Sequence, residues 1–375
     1  MQKVRLGDVC KLNMGQSPDS SSYNENKEGI PFFQGNADFG EVYPNLRVWC
    51  RCPIKTAKIG DILISVRAPI GALNMANMEC CIGRGLAALT VNEKICNKKY
   101  FWYCIKSQVE ELKSKGTGST FKAISKEALS ETILPIYPLE QQQQIVSVLD
   151  KISLLIDKRK KQLKKLDELV KSRFVEMFGE VITNSNGYEL KKYGDFFELN
   201  AGGTPSKGKK EYWDKGSISW IGSNMCQNTF IYKNDGNYIT EEGLRHSSAR
   251  LFPVDTVLIA LVGATIGKTA LLKFETTTNQ NVLGIRGIRK SGYTPEFVYY
   301  YTQGLYPMFL NLGEGGFAMA SKKFISLLPI PIVELGLQNQ FADFVNQIEK
   351  LKSSVQKSLE TLETLKQAQM QKYFG

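Results

Sequence analysis

Two kinds of hydrophobic pattern alternate along the chain. Residues 1–138 and 180–332 carry short β-branched and aromatic runs, such as Ile62-Leu-Ile-Ser-Val66 and Val257-Leu-Ile-Ala-Leu-Val262, punctuated by Gly, Pro, Asn and Ser. Short apolar runs between turn formers predict buried strands, with short helices intervening at 99–113 and 295–304. Residues 140–178 and 337–374 contain neither Gly nor Pro. In the first of these, Ile145, Leu149, Ile152, Ile156, Arg159, Leu163, Leu166, Val170, Arg173 and Met177 step by four and three, the period of a coiled-coil seam. The matching seam, 196 residues later from Ile145 to Phe341, runs Phe341, Val345, Ile348, Lys352, Val355, Leu359, Leu362, Lys366, Gln369 and Tyr373. It is the more polar of the two.

These patterns are one pattern written twice. Leu6-Gly7-Asp8 aligns with Tyr193-Gly194-Asp195 at an offset of 187, and Asn13, Gly15, Ser17 and Pro18 meet Asn200, Gly202, Thr204 and Pro205 at the same offset. Pro31-Phe-Phe-Gln34-Gly-Asn36 resembles Ser219-Trp220-Ile-Gly-Ser-Asn224, and Leu134-Pro-Ile136 resembles Leu328-Pro-Ile330. Both long polar segments end in Phe-Gly, Phe178-Gly179 and Phe374-Gly375. A drifting offset is what loop insertions produce in a tandem duplication. The predicted fold class is α+β: a mixed, strand-rich globular domain followed by a long helix, occurring twice. The boundaries fall at 1–138, 139–179, 180–332 and 333–375. A helix over 141–178 would reach about 57 Å at 1.5 Å per residue, more than one small domain covers. The expectation is therefore an antiparallel pair of helices related by a pseudo-twofold axis.

Composition narrows the partner. With 48 Lys and Arg against 37 Asp and Glu, the chain carries a net charge of +11, which favours a polyanion such as nucleic acid. The longest apolar run, Val257 to Val262, is far below the roughly 20 residues of a membrane span, and no apolar leader follows the N-terminus. The expected location is the cytoplasm, next to the nucleoid, with the eight cysteines reduced. Cys50-Arg-Cys52 and Cys80-Cys81 lack the paired C-x2-C spacing of a zinc site. A single histidine, His246, leaves no His-rich metal site or nucleophile–base pair to propose.

Gly263-Ala-Thr-Ile-Gly267-Lys268-Thr269 has three residues between its glycines where a phosphate-binding P-loop has four, and its counterpart Ala68-Pro-Ile-Gly71-Ala72 has no lysine. It reads as a strand-ending turn that leaves Lys268 free to meet a phosphate. Neither a methyltransferase loop nor a nuclease carboxylate cluster is present in the sequence. The expectation is a chain without catalysis and without a cofactor of its own.

Loops mixing hydroxyl, amide, aromatic and cationic side chains recur at equivalent places: 17–23, 33–36 and 116–122, then 204–213, 220–224 and 313–323. Such groups hydrogen-bond base edges and phosphates. The candidate DNA contacts are Ser17, Tyr23, Gln34, Asn36, Arg67, Arg84, Thr117, Ser119 and Lys122 in the first half. In the second they are Thr204, Lys207, Lys209, Trp220, Asn224, Lys268, Gln280 and Lys322. The run 158–165 is a basic helix face, solvated by default.

Several stretches together resemble one family: Gly15-Gln-Ser-Pro18 after a Gly-Asp start, Gly60-Asp-Ile-Leu-Ile-Ser-Val-Arg67-Ala-Pro-Ile-Gly71, Cys81-Ile-Gly-Arg84-Gly-Leu-Ala87, and Pro138-Leu-Glu-Gln-Gln-Gln-Gln-Ile145. The chain resembles type I restriction-modification specificity (S) subunits over nearly all its length. The resemblance implies two target recognition domains, each reading part of a split double-stranded DNA sequence, joined by spacer helices. Its implied partners are two modification subunits carrying S-adenosylmethionine and, for cleavage, ATP- and Mg-dependent restriction subunits. The half-sites are expected to differ and to lie about one helical turn apart. Asn279-Gln-Asn281 stands where the first half has Gly83-Arg84-Gly85, so contacts do not transfer between halves. Two rival readings use the same pattern: a DNA binder of a related methylation system without restriction subunits, and a coiled-coil scaffold that binds only protein. A nucleotide-hydrolysing enzyme is the catalytic alternative.

Overall fold

The computed structural model describes residues 1–117, 122–310, 312 and 319–375. Two compact units divide the chain, Met1–Lys160 with Lys357–Gly375, and Lys161–Gln356. The division falls inside the long helices, Leu139–Phe178 and Leu335–Phe374. Each unit thus comprises one strand-rich region and a portion of both helices.

In the first unit the central sheet is antiparallel, in the order Cys10–Met14, Leu86–Val91, Ile62–Ser65, Leu73–Met75. Ile62–Ser65 is buried at every position, which explains a continuous apolar run in place of the alternation of a half-exposed strand. Its two faces serve different layers. Ile62, Ile64, Ala87 and Leu89 pack against helices that contribute Tyr100, Phe101, Cys104, Ile145 and Leu149. Leu63, Leu86 and Ala88 face Phe33, Ala57, Cys80 and Ile82 of a second sheet. That sheet has the order Tyr23–Asn24, Val48–Cys50, Ile30–Phe33, Cys80–Ile82, Thr56–Ala57, with its third and fourth strands parallel.

The second unit has the same construction. Glu198–Ala201, Val282–Arg286, Val257–Ala260, Thr269–Leu272 and Thr229–Ile231 form its central sheet. Val257 and Ile259 face the helices, whereas Leu258 and Ala260 face Ile221, Ile231 and Phe252. In the second sheet Ile218–Ile221 runs parallel to Thr276–Thr278, the same relation as Ile30–Phe33 to Cys80–Ile82. The expected short helix at 99–113 is interrupted at Gln108, giving Lys98–Ser107 and Val109–Ser114, while Pro295–Gly304 is continuous.

The glutamines at the start of each long helix have a structural cause. Gln142 is fully buried; its carbonyl oxygen accepts the Asn97 N–H at 2.7 Å, and its amide donates to the Tyr137 and Ile95 carbonyls at 2.7 and 3.1 Å. Gln338 repeats this: it accepts from Thr294 N–H at 3.0 Å and donates to the Val333 and Gly292 carbonyls at 3.0 and 3.4 Å. Each side chain satisfies backbone groups that burial would otherwise orphan and ties the long helix to the cap of a short one.

Within each unit the helices run antiparallel. In the first, Arg159 Nε donates to Ser358 Oγ at 3.2 Å and Lys160 pairs with Glu363 at 3.3 Å, while Ile145, Leu149 and Phe374 share one core. In the second, Lys352 pairs with Asp167 at 2.8 Å, and Phe174 and Phe178 lie 5.3 and 5.5 Å from Phe341. The seam residues Ile145, Leu149, Ile152, Ile156, Val170, Phe341, Val345, Ile348, Val355 and Leu359 are buried, and Leu163, Leu166 and Leu362 are half-buried. The fold class read from the repeat is therefore the observed one: mixed sheets, twice, with a long helix after each.

Candidate nucleic-acid interface

In the first unit three chain segments meet at one end of the paired sheets. Gly15 N–H donates to Leu86 O at 2.8 Å, Gln16 N–H to Ile82 O at 3.0 Å, and Gly83 and Gly85 N–H to Phe33 O and Gln34 O at 2.8 and 3.0 Å. The contact is backbone on backbone. A Cβ on Gly15 would lie 2.1 Å from the Gly83 carbonyl oxygen, and one on Gly85 would lie 2.4 Å from that of Gln34, so these positions admit only glycine. Ser17 Oγ accepts the Arg84 N–H at 3.2 Å, and the Arg84 side chain stands exposed above the junction.

Ser17, Tyr23, Gln34, Asn36 and Arg84 are thus brought together. Tyr23 stacks on Phe32 with ring centroids 4.6 Å apart and donates its hydroxyl to Pro18 O at 2.8 Å; burial raises the phenol pKa. Gln34 is exposed and Asn36 half-buried. The same backbone network extends to the other candidates: Val66 N–H donates to Gly85 O at 2.9 Å, and Arg67 and Thr117 each bridge to Ala123. Arg67, Thr117 and Lys122 are exposed along this edge, while Ser119 lies outside the described residues.

The second unit repeats the junction with other side chains. Gly202 N–H donates to Val282 O at 2.9 Å and Gly203 N–H to Thr278 O at 2.8 Å, and Asn279 N–H donates to Ile221 O at 3.2 Å. Thr204 donates its hydroxyl to Gln280 Oε1 at 2.5 Å, in the place of the Ser17–Arg84 contact. Trp220 is half-buried, with its indole N–H donating to Gly203 O at 3.0 Å and its ring edge-on to Trp213 at 5.4 Å. Its polar group therefore holds a loop. Lys268 Nζ donates to Gln227 Oε1 at 2.9 Å, and Gln227 in turn donates to Asn224 O at 3.1 Å, which joins Lys268 to Asn224.

Lys209 Nζ donates to Tyr212 OH at 2.9 Å and lies over that ring, 4.8 Å from its centroid, so its charge is partly engaged; this bond raises its pKa. Lys207 is exposed in the same turn. Lys322 is the first residue of a short helix capped by Ser321, just beyond Ala320, whose N–H donates to Leu261 O at 2.8 Å. Leu261 N–H donates to Asn281 O at 2.8 Å, which links this edge back to the junction.

Sequence reasoning missed Asp38, Arg47 and Gln227. Asp38 is buried beneath the Gln34–Asn36 turn and accepts Gln34 N–H at 2.7 Å; it also pairs with Arg47. Its spacing of three after Gly35 is a capping signal that could have revealed it. Nothing in the sequence points to Arg47, which reaches Asp38 from a separate segment. The cysteine cluster is a packing feature: Cys50, Cys80 and Cys81 are buried, and burial pushes the Cys80 and Cys81 thiols up to about 12 and about 11. Among the described residues no group of three or more His, Cys, Asp or Glu could hold a metal ion, and no helix is long and apolar enough to cross a membrane.

The family model for the type I restriction modification DNA specificity domain matches residues 1–168 and again 185–364. The chain belongs to this family. The two matched stretches correspond to the two copies of the repeat. The chain is 45% identical over 173 residues to the provisionally assigned MjaX type I restriction enzyme specificity subunit of Methanocaldococcus jannaschii, covering 45% of this chain and 40% of that one. It is 28% identical over 252 residues to the EcoR124I/EcoR124II specificity subunit of Escherichia coli, covering 64% of this chain and 59% of that one. The chain thus matches about half the length of these curated relatives. The solved S subunit of a type I restriction-modification system from M. genitalium shares the fold, with a TM-score of 0.60 at 15% identity over 100% of this chain and 96% of that one.

Proposed function

We propose that this chain is the DNA sequence-recognition subunit of a type I restriction-modification complex. It reads a split, asymmetric double-stranded target and catalyses nothing itself. One observation carries the reading: in each unit the same backbone junction presents different side chains, Ser17, Gln34, Asn36 and Arg84 in one and Thr204, Asn224, Lys268 and Gln280 in the other. A shared scaffold with divergent donors and acceptors suits two different half-sites. Base edges are distinguished by such donor and acceptor patterns, with exposed lysines left for phosphates.

The helices are proposed to dock two modification subunits. Leu154, Leu155, Leu169, Leu351 and Leu365 are large apolar side chains exposed outside the buried seam, as an interface for partner helices requires. S-adenosylmethionine belongs to those subunits in this reading, and ATP and Mg to restriction subunits. The complex would act in the cytoplasm on nucleoid DNA.

Mapping methylated adenines in cells carrying and lacking the gene tests the proposal. Loss of methylation at one gapped, non-palindromic motif is expected. An unchanged methylome, or methyl transfer by the purified chain alone, would overturn it.

A further inference from the structure

Beside each junction runs a short strand at the edge of its sheet. In the first unit Thr56–Ala57 pairs with Cys80–Cys81, and in the second Leu251–Phe252 pairs with Thr276–Thr277 in the same antiparallel register. The residue just before each edge strand is a cation, Lys55 in one unit and Arg250 in the other. Both stand against the junction. The Lys55 carbonyl accepts the Ile82 N–H at 2.9 Å, and the Ile82 carbonyl accepts that of Gln16 at 3.0 Å. In the second unit Gly203 takes the place of Gln16, with its N–H on the Thr278 carbonyl, and lies against the segment leading into Arg250. A Cβ on Gly203 would come within 2.3 Å of the Ser248 carbonyl carbon and 2.5 Å of the Ala249 nitrogen. The Lys55 and Arg250 side chains are exposed, and among the described residues neither has a hydrogen-bond or ion-pair partner, so each presents its whole charge.

We infer that Lys55 and Arg250 are equivalent phosphate contacts, one in each unit, that seat each junction on the backbone of its own half-site. The inference rests on the reading of the chain as a DNA-recognition subunit. Its basis is what the two copies keep and what they change. Base edges differ between unequal half-sites, whereas the phosphates are the same at both. At the junction Arg84 gives way to Gln280, and around the two cations Ile54 gives way to Ala249 and Thr56 to Leu251. The charge between them is kept. Charge is kept without shape, since a lysine ammonium and an arginine guanidinium share no donor geometry. A phosphate accepts either one, whereas a base edge is told apart by where the donors stand. Two other cations of the second junction, Lys268 and Lys209, are by contrast already bonded to Gln227 and Tyr212.

The test is selection of a random-sequence duplex library by the full chain, followed by binding of the selected duplex and of unrelated duplexes measured against salt. It is run in parallel for wild type, Lys55→Ala, Arg250→Ala, the double variant, and the exchanges Lys55→Arg and Arg250→Lys. Each alanine should weaken binding to every duplex by the same factor, reduce the slope of log affinity against log salt by about 0.9, and leave the selected motif unchanged. The double variant should lose about twice that slope, and both exchanges should keep the wild-type slope. Lys94→Ala, in an exposed turn beyond the far end of Leu86–Val91, should keep it too. A motif altered at one position would assign the residue to a base and overturn the inference. An unchanged slope in either alanine variant would overturn it as well, leaving that cation only a guard against pairing at the strand edge. An equal loss in Lys94→Ala would trace the effect to net charge, with the same consequence. Absence of salt-dependent binding by wild type would instead remove the DNA-recognition reading on which the inference stands. Thermal unfolding of each variant confirms that the exposed substitutions leave the fold intact.

Discussion

Thr204 and Gln280, 76 residues apart in sequence, are joined by a 2.5 Å hydrogen bond across the junction of the second unit. The hydroxyl occupies the Gln280 carbonyl oxygen and holds the exposed amide, whose N–H donors take no part in that bond. Gln280→Ala should relax one base position in one half-site, at a cost of about 1–3 kcal/mol in discrimination. Thr204→Val should relax the same position by less, because the amide remains but is no longer held. Library selection with both variants checks this; effects at two different positions would separate the residues.

The buried glutamines predict large stability losses. Gln142→Leu and Gln338→Leu each leave a backbone N–H and carbonyl oxygens without partners, in part-buried bonds at Gln142 and in mostly buried ones at Gln338. Each should cost about 1–3 kcal/mol, since an orphaned buried group loses its full hydration. Urea unfolding followed by far-UV circular dichroism gives the value. Equal losses at the two positions would show that the repeats use the device alike.

Lys352 supplies a pH signature. Burial by itself pulls its pKa down, but hydrogen bonds and attraction from Asp167 and Glu349 outweigh burial and raise it. A raised lysine contributes stability that is full below its unfolded value of about 10.4 and is lost as pH rises through the higher folded value. Lys352→Met should therefore destabilise the chain by about 1 kcal/mol at pH 7 to 9, with the difference from wild type shrinking as pH rises through the raised folded value. Paired unfolding curves across that range test the sign.

Thiol reactivity checks the packing reading of the cysteines. Burial pushes Cys10, Cys80, Cys96 and Cys226 up to about 12, so they stay protonated at pH 8, whereas Cys52 is exposed. A thiol reagent at pH 8 should titrate one cysteine quickly in the native chain and all eight in denaturant. Rapid reaction of Cys80 or Cys81 in the native state would contradict the burial described.

The sequence by itself determined the duplication, the two long helices and most of their buried seam, because each rests on local periodicity or on repeated motifs. Gly15, Gly83 and Gly85 were visible there as a pattern, and their cause is steric: backbones meet where a Cβ would collide. Tertiary structure alone decided which layer each central strand serves. Ile62–Ser65 and Val257–Ala260 are apolar on both faces, so no alternation marks the helix side from the sheet side. It also decided which loop residues act together. Thr204 with Gln280, and Asp38 with Arg47, pair across separate segments, and Trp220, an apparent surface aromatic, turned its N–H inward to hold Gly203. Contacts between distant segments depend on sheet order and parallel pairing, which local propensity does not encode.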